Sequence, residues 1–527
     1  MNRAIWIAPV AALVLAACGD DGDDGINGTN GVNGTNGVDG LNSLVLARSL
    51  PRGDATCAGG GRVLESGLDS NRNGTLETAE ITSQEYLQCL TAPRLRALHA
   101  SPDAPAVNIR VNGAQVLEGV DFAQGSGFLP VGERTRVQVE AIIPGGNAVV
   151  IDENLSLQFS TDYTVIATGE VADPVDALLI ANPSDAPITP GSLRAQVVHA
   201  APAAPPVDVY VTAPGAALAD STPLNDSPLG FEQYTGQAEL PAGEYQVRVT
   251  LAGNSASVVY DSGTLTLPAE ADLLIAAVAN TGPGTAPIQL VALDGADANV
   301  LRDAGTPASV IAVHASPDAP AVDLLADDNS TAALESLALA RNVAYPGVCR
   351  IAAVPAGNYS LSVTPAGNPG VVALEFDLAP NRGDVVTAVV TGYLGGTPAL
   401  QPLALPTDLR SVITETKLRI THASPGTGAV DLYLLADGAD LNAATPAFAA
   451  VPFGADTGVL SIAPGVYDVY VTPAGNRGVV AIEVQNFTVS GGQVLDVLAR
   501  DALTDGSEGA LPQLIVVDHA NVTACPT

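Results

Sequence analysis

Lysine, tryptophan and methionine are almost missing from this chain: one of each stands among 527 residues, and aromatic side chains make up only 4%. The single tryptophan, Trp6, lies in the first apolar stretch, so the remainder has no indole platform of the kind on which many sugar-binding modules stack their ligands. With Lys417 as the only lysine, a repeated Schiff-base site is excluded, and so are the lysine-asparagine isopeptide staples of some surface adhesins. Basic residues number 21 against 56 acidic ones, a formal charge of −35. That balance repels phosphate backbones and anionic head groups, which excludes nucleic acid and favours cations and basic surfaces as partners. No G-x-S-x-G elbow, H-E-x-x-H, P-loop or dinucleotide-binding glycine motif is present. Long apolar runs are missing too: nothing approaches the roughly 20 residues that a spanning helix needs.

What is present begins with a leader. Arg3 and the apolar run from Ile5 to Leu15 read as a secretory signal over 1–17. It ends in Leu15-Ala16-Ala17-Cys18, the small residues before a cysteine that lipoprotein signal peptidase requires. Cys18 is therefore expected to carry covalent lipid, and the lipid to be the only membrane attachment. Within the segment 18–42, glycine falls at every third position from Gly22 to Gly40 without collagen's proline. This reads as a hydrated spacer, with a trimerising triple helix as the open alternative. Gly19 after the lipidated cysteine permits outer-membrane sorting. The expected location is the bacterial cell envelope, as an outer-membrane lipoprotein facing the periplasm or the cell surface.

The decapeptide HASPDAPAVN at His99 to Asn108 returns as HAAPAAPPVD from His199, HASPDAPAVD from His314 and HASPGTGAVD from His422. Successive histidines lie 100, 115 and 108 residues apart, too far for a helical solenoid and typical of a complete domain. With the downstream P-A-G-x-Y and A-G-N segments, these stretches resemble the bacterial surface-lipoprotein repeat named domain of unknown function 4397. The resemblance implies a repeated fold and no activity. Turn-forming clusters place the repeats at 92–190, 191–306, 307–409 and 410–527, after a small module at 43–91. The short junctions suggest a row of closely spaced beads.

Within a repeat the apolar pattern has the period of strands, as in Val207-Asp208-Val209-Tyr210-Val211 and Tyr467-Asp468-Val469-Tyr470-Val471. Less alternating runs, Val385 to Val390 and Asp272 to Val278, fit strands in a sandwich interior. Ala332 to Leu339 is the best helical candidate. The expected fold is all-β: four tandem antiparallel β-sandwiches of immunoglobulin-like type, with a closed barrel as the alternative. The copies are unequal. Repeat 1 carries Asn108 where Asp208, Asp323 and Asp431 stand, and it lacks the tyrosine found at Tyr245, Tyr359 and Tyr467.

The sharpest chemical motif is Asp69 to Glu80, which matches the twelve-residue calcium loop at each specified position. Asp69, Asn71 and Asn73 would give side-chain oxygens, Thr75 its carbonyl and Glu80 a bidentate carboxylate, around the turn at Gly74. The flanking sequence is strand-like, so a helix pair is not expected, and an Asx-rich turn without metal is the alternative. Cys57 and Cys89 flank this loop and are expected to pair. Cys349 and Cys525 would then tie the tail of repeat 4 to repeat 3, unless the thiols stay unpaired. One histidine per repeat is too few for zinc, so the imidazoles are read as closing a turn against backbone or the nearby aspartate. The tyrosines are read as sandwich-corner anchors. These features lead to a non-enzymatic display or adhesion scaffold whose protein partner the sequence does not specify. The alternative is a ligand- or glycan-binding protein using the loops Asp220 to Gly230, Asp327 to Leu337 and Ala436 to Phe448.

Overall fold

The computed structural model describes residues 40–51, 54–57, 59–173, 175–184, 186–327, 337–503 and 511–527. The leader, Cys18 and nearly all of the spacer lie outside the described residues. The described residues contain no helix long and apolar enough to cross a membrane. Two compact units form, one built on the first three strands and the other on the repeats.

The smaller unit is a three-stranded sheet of β1 (Ser43–Leu50), β2 (Gly61–Leu68) and β3 (Ile81–Cys89) in that order. β1 and β2 run antiparallel, from Ser43 opposite Leu68 to Leu50 opposite Gly61. β2 alternates, with Val63, Glu65 and Gly67 buried, as a strand covered on one face does. The twelve-residue loop joins β2 to β3.

Repeat 1 shows the plan of the larger unit. Its strands are β4 (Arg94–His99), β5 (Val107–Val111), β6 (Ala114–Val120), β7 (Leu129–Pro130), β8 (Arg134–Ala141), β9 (Ala148–Ser156), β10 (Thr161–Thr168) and β11 (Asp176–Pro183). They form two four-stranded sheets, in the orders β11-β10-β4-β7 and β6-β5-β8-β9. The first and seventh strands, β4 and β10, run parallel, and the other pairs are antiparallel. Repeats 3 and 4 have the same order in both sheets. Repeat 2 replaces its third strand by a 3-10 turn, Leu218–Asp220, and adds a short edge strand, Ala298–Leu301. The sandwiches are as the periodicity predicts. In repeats 1, 3 and 4 the first strand joins the seventh in a parallel pair, and the second joins the third and fifth in antiparallel pairs.

The repeats are not separate beads. In Asp272–Ala279, Leu273, Ile275 and Ala277 enter the core of repeat 2. The alternate residues Leu274, Ala276 and Val278 join Leu98, Ala100, Phe122, Ile166 and Ile180 of repeat 1 in a second buried cluster. Repeats 3 and 4 share a core in the same way, Ile311, Val313, Ala315 and Val389 packing with Ala423, Leu498, Ile515 and Val517. A strand buried on both faces reads as a continuous apolar run, which explains the weak alternation of these segments. The helical candidate is corrected: Leu337–Val343 is a strand, and residues 332–336 lie outside the described residues. Its last residues pair with Val322–Asp327, Leu337 opposite Ala326 and Ala338 opposite Leu325, and that pairing overrides a local preference.

Candidate functional site

Each recurrent histidine is buried and bonded to the carbonyl six residues on. His99 reaches Pro105 at 3.0 Å, His199 Pro205 at 3.2 Å, His314 Pro320 at 3.0 Å and His422 Gly428 at 2.9 Å, in each case through Nε2. A carbonyl only accepts, so Nε2 carries a proton; in repeats 2 to 4 Nδ1 accepts an N–H as well, so those rings are neutral. Burial pushes all four imidazoles below their ordinary pKa, which favours the same form. An aromatic ring packs edge-on to each: Phe122, Phe231, Tyr345 and Phe453. Of the two partners weighed from sequence, the turn backbone is the one used.

The aspartate nine residues on fastens two other turns. Asp431 accepts N–H groups from Ala450 and Gly475, both at 2.8 Å, and Asp323 accepts from Asn342 at 2.7 Å and Gly367 at 2.9 Å. Asp208 takes Gly253 N–H at 2.7 Å and the Asn225 side chain at 3.1 Å. Asn108 needs only one acceptor, for Gly119 N–H at 3.1 Å, so an amide suffices in repeat 1. Tyr245, Tyr359 and Tyr467 donate to the carbonyls of Pro241, Pro355 and Ala463, four residues upstream, at 2.7 to 2.8 Å. That is the geometry of a sandwich-corner tyrosine.

The loop Asp69 to Glu80 folds around its two end carboxylates, which are 1% and 8% exposed. Asp69 accepts N–H groups from Asn73 at 3.0 Å and Gly74 at 2.9 Å, and Glu80 accepts from Ser70 at 2.8 Å and Asn71 at 3.2 Å. The Asn71 and Asn73 side-chain oxygens accept from the backbone two residues on, while their amide groups donate to Glu77. Gly74 has φ +79°, which a side chain would strain. Strands flank the loop, with a single 3-10 turn at Thr78–Glu80. No three His, Cys, Asp or Glu side chains gather as a metal site among the described residues. The loop's donor set differs in kind, being two carboxylates, two amides and a carbonyl, a set of hard oxygens that fits calcium.

Both cysteine pairs are disulfides. Cys57 bonds Cys89 with Cα atoms 5.0 Å apart, and Cys349 bonds Cys525 with Cα atoms 4.7 Å apart. The second joins the tail after repeat 4 to the fourth strand of repeat 3, Val348–Val354.

Four segments, 93–210, 213–325, 308–433 and 416–524, match the family model described as Domain of unknown function (DUF4397). The chain belongs to this family. Each of the first three DUF4397 matches ends two residues past the next copy's decapeptide, so the sequence unit runs beyond the sandwich it opens with. Residues 42–89 match a second model, Domain of unknown function (DUF7151). No curated protein matches. Among solved structures, the Bacillus anthracis TIE protein aligns at 11% identity over 88% of this chain and 76% of that one, with a TM-score of 0.14. A product complex of the glycogen-degrading pneumococcal virulence factor SpuA aligns at 10% identity over 53% and 37%, also with a TM-score of 0.14.

The loops between DUF4397 strands are mostly tied down. In Asp220 to Gly230, buried Asn225 bonds Val209 N–H at 2.8 Å and the Ser227 carbonyl at 2.8 Å, standing in for the missing strand. In Ala436 to Phe448, Arg477 donates to the Asn442 carbonyl. Of Asp327 to Leu337, residues 328–336 lie outside the described residues. What the motifs did not reveal is a charged cavity of about 450 Å³ where repeats 1 and 4 meet. Arg410 and Lys417 there pair with Asp121 and Asp408, and Arg419 lies 3.8 Å from Asp496. Asp496 also binds His519 Nε2 at 2.9 Å and the Thr387 hydroxyl of repeat 3 at 2.8 Å. The sole lysine and the one histidine outside the decapeptides were the available signals.

Proposed function

We propose that this protein is a lipid-anchored scaffold of the bacterial cell envelope that presents its DUF4397 repeats for interaction and performs no catalysis. The observation that supports this reading best is that the recurrent His, Asp and Tyr groups are all bonded to turns of their own repeat. What recurs is architecture. The sequence of the first 42 residues supports an anchor and a spacer. Protease shaving and antibody labelling of intact cells test it: repeat epitopes disappear on shaving if the protein faces outward. Their full retention overturns surface display.

The same proposal includes calcium in the loop, with Asp69, Asn71, Asn73, Thr75 and Glu80 as ligands. The ion would neutralise two buried carboxylates and lock the turn between β2 and β3. Two asparagines in place of aspartates suit calcium at extracellular concentrations. Calcium at 100 times Kd then stabilises this module by about 2.7 kcal/mol. Hydrogen exchange of the full chain, with calcium and with chelator, reads that gain as slower exchange of Ser43 to Thr91. Glu80→Gln keeps the shape but removes the bidentate charge, so it abolishes the calcium dependence and leaves the repeats unchanged. Identical exchange in all four conditions reduces the motif to a turn.

A further inference from the structure

Repeat 1 differs from its siblings at one buried atom. In the other copies the histidine Nδ1 accepts the N–H two residues on: Ala201 at 3.4 Å, Ser316 at 3.3 Å and Ser424 at 3.4 Å. His99 Nδ1 has no such partner, and neither do the Ser101 and Thr414 hydroxyls. His99 and Ser101 are 2% and 0% exposed. All three side chains line one cavity of about 330 Å³, otherwise walled by apolar groups that include Val107, Val139, Ala141 and Val175. Val150 and Val171, both exposed, stand at its rim. Thr414 comes from the start of repeat 4, just before the strand Thr416–His422, and this segment docks on repeat 1 through Ile413 N–H to the Asp103 carbonyl at 3.0 Å. Leaving a buried polar atom unpaired is costly, and a ligand with a polar head in this apolar cavity would relieve that cost at all three atoms.

We propose that this cavity binds a small apolar molecule with a neutral hydroxyl head. The chemistry of the head follows from the histidine tautomer. Nε2 donates to Pro105, and in the neutral ring that deep burial favours Nδ1 is a lone-pair acceptor that needs an O–H or N–H donor. The Ser101 and Thr414 hydroxyls, which have no partner, can donate back to the head. A carboxylate has no proton for Nδ1, and an ammonium group would lose its hydration among valines. A volume of about 330 Å³ suits a chain of six to eight carbons rather than a full lipid. The site is independent of the scaffold reading, since a display protein with or without it would be presented alike.

The test is saturation-transfer NMR on the full chain with 1-hexanol, hexanoate and hexylamine, three heads on one tail. 1-Hexanol is expected to bind saturably and at least tenfold more tightly than the two charged probes. Ser101→Ala weakens it about tenfold, Ala148→Phe, at a residue of the cavity wall, fills the cavity and abolishes binding, and Ser424→Ala, at the matching position of repeat 4, changes nothing. Circular dichroism checks that each variant folds. Absence of saturable binding, equal binding of all three probes, or binding that survives Ala148→Phe overturns the proposal. An effect of Ala148→Phe without one of Ser101→Ala overturns the hydroxyl assignment, as does a crystal structure in which ordered water alone bridges the three groups.

Discussion

Replacing Cys349 and Cys525 together by serine lowers the stability of the paired repeats 3 and 4 by up to about 5 kcal/mol. The bridge closes a loop of 176 residues, and constraint of the unfolded chain grows with the logarithm of loop length. It also holds the tail in register. Arg350 N–H donates to the Thr523 carbonyl at 2.7 Å and Cys525 N–H to the Arg350 carbonyl at 3.0 Å, so the tail forms one more rung on the edge of repeat 3. Both sulfurs sit in the core cluster with Ala312, Leu324 and Leu361, where serine hydroxyls would find little to bond. Thermal unfolding followed by hydrogen exchange should show the tail 519–527 and strand Val348–Val354 opening first. Unchanged melting of the double variant, or four alkylatable thiols in the mature protein, refutes the pairing as a stabilising link.

Leu274→Ala is expected to destabilise repeats 1 and 2 together by about 2–5 kcal/mol, the usual range for a fully buried leucine whose neighbours cannot collapse into the gap. Leu274 is 1% exposed and belongs to repeat 2 in sequence, yet its side chain lies with Leu98, Ile166 and Ile180 of repeat 1. Polar contacts cross the same boundary: Arg96 reaches the Leu293 carbonyl at 3.3 Å, and Thr168 donates to Glu232 at 2.7 Å. Leu290→Ala is the control, because Leu290 is equally buried but lies in the core of repeat 2 alone. Hydrogen exchange resolved by repeat distinguishes the two. If Leu274→Ala speeds exchange in repeat 2 only, the shared core does not couple the domains.

Much of the repeat's local structure was legible because its determinants are close in sequence. The histidine bonds a carbonyl six residues away and the tyrosine one four residues away, so composition and spacing within a short window sufficed to read them as turn and corner anchors. The aspartate was harder. Its partners, Gly367 and Gly475, lie 44 residues downstream, and only the pairing of the second and fifth strands brings them to it. The cavity of repeat 1 was invisible for the same reason, since Thr414 stands 315 positions after His99.

The sequence by itself determined that four like domains follow one another and that their strands are β, because both depend on local spacing, while the pairings Cys57–Cys89 and Cys349–Cys525 were an expectation that the structure bears out. Only the tertiary structure decided that the domains fuse in pairs and that the first and seventh strands run parallel. The reason is geometric. The unbroken apolar run in Asp272–Ala279 tells that both faces of the strand are apolar, but the pattern carries no label for what covers the second face. That face is covered by the neighbouring repeat, whose matching apolar face has the same ambiguity until the two sheets meet.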